Sequence, residues 1–234
     1  MVMRTRVLRY GVVWLALTLF TACAQLPEYA KPQSVSIDEI KKGMPAGFIY
    51  RQLSREDFRA TSLPENLSPH EKNINARAAT LIRVTADSKF SITPCPILDQ
   101  MNYCGRIHHL AFEAIIIPDS SWWNPKMNPA LKSYVLQHEQ IHFALTEIAA
   151  RNLTRDSRKL ASRILAVGET PQQVYSEMAQ QVRTLIHSAM EDNKKRHLKF
   201  DKDTSLYYSP PWQAWWFEMV EEELKQTESV RRGR

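Results

Sequence analysis

Apolar residues recur at helical spacing in three stretches of the chain and crowd into β-branched runs in two others. The runs are 80–93 (TLIRVTADSKFSIT) and 111–117 (AFEAIII), each bounded by turn residues and expected as strands. Asn128 followed by Pro129 is an N-cap with proline at the first helical position, and Leu131, Val135, Leu145 and Ala149 then form one stripe. That helix is expected to run on weakly through Leu153, Leu160 and Ile164 to a stop at Gly168. Thr170-Pro171-Gln172-Gln173 is a capping box opening a second helix, which carries Val174, Met178, Val182, Leu185 and Ala189 on one face to about Lys199. Beyond Pro210-Pro211, residues 212–225 suggest a third helix with Trp212, Trp215, Trp216 and Met219 available for packing, before a frayed tail with Arg231, Arg232 and Arg234. The expected fold class is α+β, a small N-terminal β-sheet followed by a helical hairpin and a short C-terminal helix.

The start of the chain reads differently. Residues 1–22 have a basic opening with Arg4, Arg6 and Arg9, then an apolar run from Tyr10 to Ala22, about thirteen residues where a membrane span needs roughly 20. This is expected to be a secretory signal. It ends in Leu19-Phe20-Thr21-Ala22-Cys23, which resembles a bacterial lipobox with Cys23 as the lipidated residue; Ala24 resembles the pattern for outer-membrane delivery. Residues 23–40 are then a tether, 41–234 the folded domain, and the localisation an envelope lipoprotein facing the periplasm. Export leaves Cys95 and Cys104 as an even pair in an oxidising compartment, an expected disulfide against the alternative of two buried thiols.

Charge narrows the partners. The 234 residues carry 31 basic and 25 acidic side chains, but without the three leader arginines 28 basic residues remain, and that near balance removes the clustered positive charge that nucleic-acid binding needs. The expected partners are a peptide or protein substrate and, through the lipid, a membrane; the sequence sets no oligomeric state.

The chemistry gathers at His138-Glu139-Gln140-Ile141-His142, an HExxH pattern inside the first expected helix. Positions i and i+4 share a helical face, so both imidazoles can reach one Zn²⁺, while Glu139, rotated about 100°, can reach water instead. With seven histidines in the chain, chance places such a pattern somewhere about 1% of the time. The competing reading makes His138 and His142 hydrogen-bonded core residues, since they extend the stripe of Val135 and Leu145. A catalytic zinc normally takes three protein ligands. If the two long helices fold back on each other near Gly168–Pro171, the level of His142 on the second helix is about residue 197, which offers His197, Asp201 and Asp203; Glu177 lies near the turn.

These residues resemble the bacterial "domain of unknown function nine-two-two" group of predicted secreted zinc-dependent proteases, within the zincin class. The resemblance runs from about Leu53 to Trp216. It rests on Leu53-Ser54-Arg55-Glu56-Asp57-Phe58 as L-x-x-x-D-F, on Ile115-Ile116-Ile117-Pro118 with tryptophan following, and on HEQIH with Phe143. Phe200-Asp201-Lys202-Asp203-Thr204 resembles a Y-D-x-x-T element, and Gln213 with Trp216 a closing Q-x-x-W. The resemblance implies a zincin-like helical hairpin and a Zn²⁺-dependent peptidase with Glu139 as general base and acid. Where the family element continues to His-Gly, this chain has Leu206 and Tyr207, so Asp201 is the expected third ligand beside His138 and His142, with His197, Asp203 and Glu177 as alternatives. The strand from Ala111 to Ile117 resembles the edge strand along which zincins lay an extended substrate, and Tyr207 or Tyr208 is a candidate oxyanion donor. His108 and His109 are expected as a solvated pair. The rival readings are a zinc-binding envelope lipoprotein without proteolysis and a structural lipoprotein without metal.

Overall fold

Helix formers and strand formers separate along the chain much as expected, and a computed structural model shows what they build. It describes residues 46–64, 74–98, 100–205 and 208–232. The signal segment, Cys23 and the tether to residue 40 lie outside the described residues.

The fold is α+β, but its strands form three small sheets in place of one. In the first, β6 (Phe112–Ile116) lies between β1 (Phe48–Ile49) and β3 (Thr80–Val84), antiparallel to both. In the second, β2 (Ala76–Arg77) pairs with β7 (Trp122–Trp123). In the third, the long hairpin of β4 (Lys89–Ile97) and β5 (Gln100–His109) takes β8 (Leu165–Gly168) onto its far edge. The run 80–93 is therefore two strands broken at a turn after Val84, each in a different sheet. Residues 111–117 supply β6, which is central, so the expected edge strand is corrected: both of its sides are already paired.

Cys95 and Cys104 are joined across β4 and β5, with Cα atoms 5.8 Å apart. A loop this short restricts the unfolded chain by about 2–3 kcal/mol. The Cys95→Ala/Cys104→Ala double variant should lose that much stability by urea denaturation; a loss under about 1 kcal/mol would mean the hairpin is equally restricted without the bond.

The central element is α1 (Lys132–Ala161), entered through a 3-10 turn at Pro129–Leu131 where Asn128 Oδ1 accepts from the Ala130 N–H at 3.0 Å. Ala150 and Phe143 pack with the sheet residues, whereas Ile141, Leu145 and Ile148 pack with Phe200, Trp216 and Val220. A helix buried on two sides hides more surface than one apolar stripe, so Leu131, Val135, Leu145 and Ala149 marked only part of what it buries. α1 ends at Ala161, short of Gly168. Ile164 and Leu165 continue helical spacing, but Leu165–Val167 instead alternate exposed, buried, exposed and pair with Arg106–Cys104 of β5.

α2 (Pro171–Thr204) begins at the capping box: Thr170 Oγ1 accepts from the Gln173 N–H, and Gln173 Oε1 from the Thr170 N–H. It lies against the third sheet at Gly105, where a Cβ would meet Met178 Sδ and come within 2.7 Å of Val174 Cγ1, so glycine lets the helix approach this close. α2 continues past Lys199 to Thr204. α3 (Pro210–Gln226) and a short α4 (Glu228–Arg232) follow, the latter occupying part of the expected tail. Among the described residues no helix is long and apolar enough to cross a membrane.

Candidate metal centre

Successive residues of HEQIH leave α1 about 100° apart, and each meets a different part of the molecule. Gln140 holds the 51–53 segment, accepting from the Leu53 N–H at 2.7 Å and donating to the Arg51 carbonyl at 3.3 Å. Ile141 is wholly buried beside Phe200 and Trp216. Glu139 is buried and its Oε2 accepts from the Ala78 N–H, between β2 and β3, at 2.6 Å. His138 and His142 face α2.

The two long helices run antiparallel at this point. Tyr134 Oη donates to the Thr204 carbonyl, His138 lies at Asp201, and His142 at His197, so each step up α1 is a step down α2. His138 Nε2 and His142 Nε2 lie 3.2 and 3.0 Å from the same Asp201 Oδ1, and 3.1 Å from each other. His138, His142 and Asp201 form a group that could hold a metal ion, the only such group among the described residues. Two nitrogens and an oxygen converge here at hydrogen-bonding distance, a donor set that also suits a cation. The imidazoles are mostly covered, at 11% and 14% side-chain exposure, whereas Asp201 is 42% exposed, so the triangle opens to solvent on the carboxylate side.

Electrostatics follow from this crowding. Burial would raise the Asp201 carboxyl, but hydrogen bonds from His138 and His142 and the charge of His142 outweigh it and hold the group well below the usual carboxylate range. Burial also works against a charged His142, yet the hydrogen bond and charge of Asp201, with the charge of Glu139, raise it above an ordinary histidine. His197, buried and beside His142, is pushed down to about 3 and is neutral.

Behind the triangle stand residues whose supporting role the sequence did not reveal. His142 Nδ1 lies 2.7 Å from His197 Nδ1, with the two rings nearly coplanar at 5°, and His197 Nε2 lies 2.8 Å from Asn193 Nδ2. The 4.9 Å between ring centroids fits an edge-to-edge contact better than stacking. His138 Nδ1 is 3.4 Å from Thr204 Oγ1, and its ring stacks on Phe200 at 4.4 Å. Asn193, His197 and Asp201 are spaced four apart along α2, a signal present in the sequence though only its last two members were used.

The alternatives for the third ligand are placed elsewhere. His197 faces the outer nitrogen of His142, away from the triangle. Asp203 Oδ2 accepts from Lys199 Nζ and Trp216 Nε1. Glu177 stands 24 residues before Asp201 on α2, about 36 Å along the helix. Tyr208 is 64% exposed with its ring against Tyr134, and Tyr207 lies outside the described residues. His108 contacts Ser91 and His109 contacts Asp87, on opposite faces of β5. Trp123 and Trp216 are buried, whereas Trp212 and Trp215 are about half exposed.

The short sequence elements have positional reasons in this structure. Asp57 accepts from Arg51 and the Ser54 N–H, shaping the segment that Gln140 holds. In Phe200–Thr204 the first residue supports His138 by stacking, the second completes the triangle and the last meets His138 Nδ1. Gln213 donates to the Tyr134 carbonyl and to Gln137, docking α3 one turn before His138. No protein-family model, curated protein or solved structure matches this chain.

Proposed function

We propose that the protein is a zinc-dependent peptidase of the cell envelope, tethered by a lipid on Cys23. The observation that carries this is the convergence of His138 Nε2, His142 Nε2 and Asp201 Oδ1 beside Glu139. Donors about 2.0–2.1 Å from a tetrahedral zinc stand about 3.3 Å apart, close to the 3.0–3.2 Å between these three atoms, and a two-histidine, one-carboxylate set leaves a fourth position open. When bound, Zn²⁺ supplies a Lewis acid that activates water and polarises a scissile carbonyl.

The chain's own residues do the rest. Glu139 takes the proton from the attacking water and delivers it to the leaving amine. Its charge is close enough to act on His142, and the Ala78 N–H fixes its orientation. The same N–H brings the start of β3 to the site. The Ile117 N–H bonds the Ala79 carbonyl, and the Thr85 N–H the Ala111 carbonyl. The alternation of an antiparallel ladder then turns the backbone groups of Thr80, Ile82 and Val84 away from β6. β3, at the sheet's end, is thus the strand to which an extended peptide would add.

The contact between Glu139 and Ala78 also favours a second reading, in which Glu139 only braces the sheet and the metal is structural. Metal analysis decides whether there is a centre at all. The wild-type chain should retain about one Zn²⁺ after dialysis, and His142→Ala should lose more than the about 10–100-fold in affinity that removal of an outer partner costs. A wild-type chain that leaves dialysis without metal and binds none on titration overturns both readings.

A further inference from the structure

Asn193 presents an anomaly that the metal triangle alone does not explain. It is 3% exposed, its side-chain Oδ1 has no hydrogen-bond partner among the described residues, and its Nδ2 meets His197 Nε2. Burying an amide with an unmet oxygen is destabilising, so the contact with His197 needs a purpose other than packing.

The direction of the protons supplies one. With Nδ2 of Asn193 toward it, His197 Nε2 is the acceptor, which places the His197 proton on Nδ1. In a neutral His142 ring, Nδ1, 2.7 Å away, then accepts as well, and the single proton sits on Nε2, among the three converging atoms. A metal ligand needs a bare lone pair at that nitrogen. Baring it moves the His142 proton to Nδ1, where it is donated to His197 Nδ1. The His197 proton then moves to Nε2, and only an acceptor can face it. Each ring gives up one N–H and gains another, so the exchange itself changes the charge of neither. An amide offers a donor in the first state and, turned over, an acceptor in the second.

We infer that His197 and Asn193 are positioning residues for the metal centre, an amide-terminated relay in which Asn193 presents Oδ1 to His197 Nε2–H whenever His142 Nε2 is a ligand. The inference rests on the reading of His138, His142 and Asp201 as a metal site. An outer partner of this kind fixes the tautomer and direction of its ligand.

Two measurements test it on the full-length chain with Zn²⁺ as the probe. In wild type labelled with ¹⁵N-histidine, the zinc-loaded protein should carry the His197 proton on Nε2 and the His142 proton on Nδ1; a His197 proton on Nδ1 overturns the relay. Zinc affinity should then fall about 10–100-fold in Asn193→Leu, which has no acceptor, and be kept or improved in Asn193→Asp, which has only acceptors. Equal losses in both variants would mean Asn193 acts as a donor or as packing, and no loss in Asn193→Leu would mean it acts on nothing; either result sinks the relay while the metal site stands. Thermal unfolding in chelator separates a general loss of stability from a loss of affinity, and the wild-type spectrum remains decisive should Asn193→Leu fail to fold. Wild type that takes up no Zn²⁺ removes the metal reading itself, and this one with it.

Discussion

Glu139→Gln is expected to keep the bound metal and lose peptide hydrolysis by about 10²–10⁴-fold in kcat, the usual contribution of a positioned general base. The substitution is nearly isosteric. The introduced amide can still present an oxygen to the Ala78 N–H, as the carboxylate does, so the junction of β2 and β3 keeps its tie to α1, and His138, His142 and Asp201 are untouched. What disappears is the capacity to accept a proton from water. The comparison is made on an unfolded protein substrate, with zinc content measured on the same samples. Full hydrolysis in the variant would remove Glu139 from the chemistry. Zinc in both proteins with cleavage in neither would favour the structural metal reading, because the contact with Ala78 would then be the whole role of the residue.

How far such a site could be read from the sequence depended on how local its determinants are. The start of α2 was legible because its capping box lies within four residues, and the HExxH spacing was legible because one turn of helix fixes it. Helix lengths narrowed the third ligand to His197, Asp201 and Asp203, and the resemblance singled out Asp201; His142 does meet His197, although the chain between the helices includes β8. β5 was not legible, since QMNYCGRIHH has few β-branched residues and becomes a strand through its pairing with β4. β8 was hidden for the opposite reason: its apolar residues fit the helical spacing before it, and pairing with β5 overrode that pattern. The central place of β6 depends on β1, more than 60 residues earlier in the chain, so no local pattern could reveal it. Asn193 was missed because a buried asparagine on a helix looks like any exposed one until its neighbours are known.

The largest loss of stability is expected from Arg151→Met, because the deepest polar contact of α1 is an ion pair. Glu147 and Arg151, 2% and 3% exposed, meet at 2.8 Å one turn apart. Each also reaches outward: the Ala114 N–H donates to Glu147 Oε2 at 3.3 Å, and Arg151 Nη1 donates to the Leu224 carbonyl at 2.7 Å and to Thr227 Oγ1 at 3.3 Å. The pair thus ties β6, α1 and the end of α3 together. Methionine keeps much of the arginine stem but leaves a buried carboxylate without its cation and the Leu224 carbonyl with only the longer bond from Thr227 Oγ1, at 3.3 Å. Removing one member of such a pair costs about 3–5 kcal/mol, and for a chain of this size each kcal/mol lowers Tm by about 2–4 °C. Adding Glu147→Leu to Arg151→Met should recover part of the loss, since no lone buried charge remains, but not all of it, because the Ala114 N–H loses its acceptor and the Leu224 carbonyl the shorter of its two bonds. Thermal unfolding of the two single variants and the double variant, in chelator, gives the coupling directly. A loss below about 1 kcal/mol, the worth of an exposed pair, would show that water reaches Glu147 and Arg151 and that packing by Phe143, Leu145 and Ile148 is what holds α1 in place.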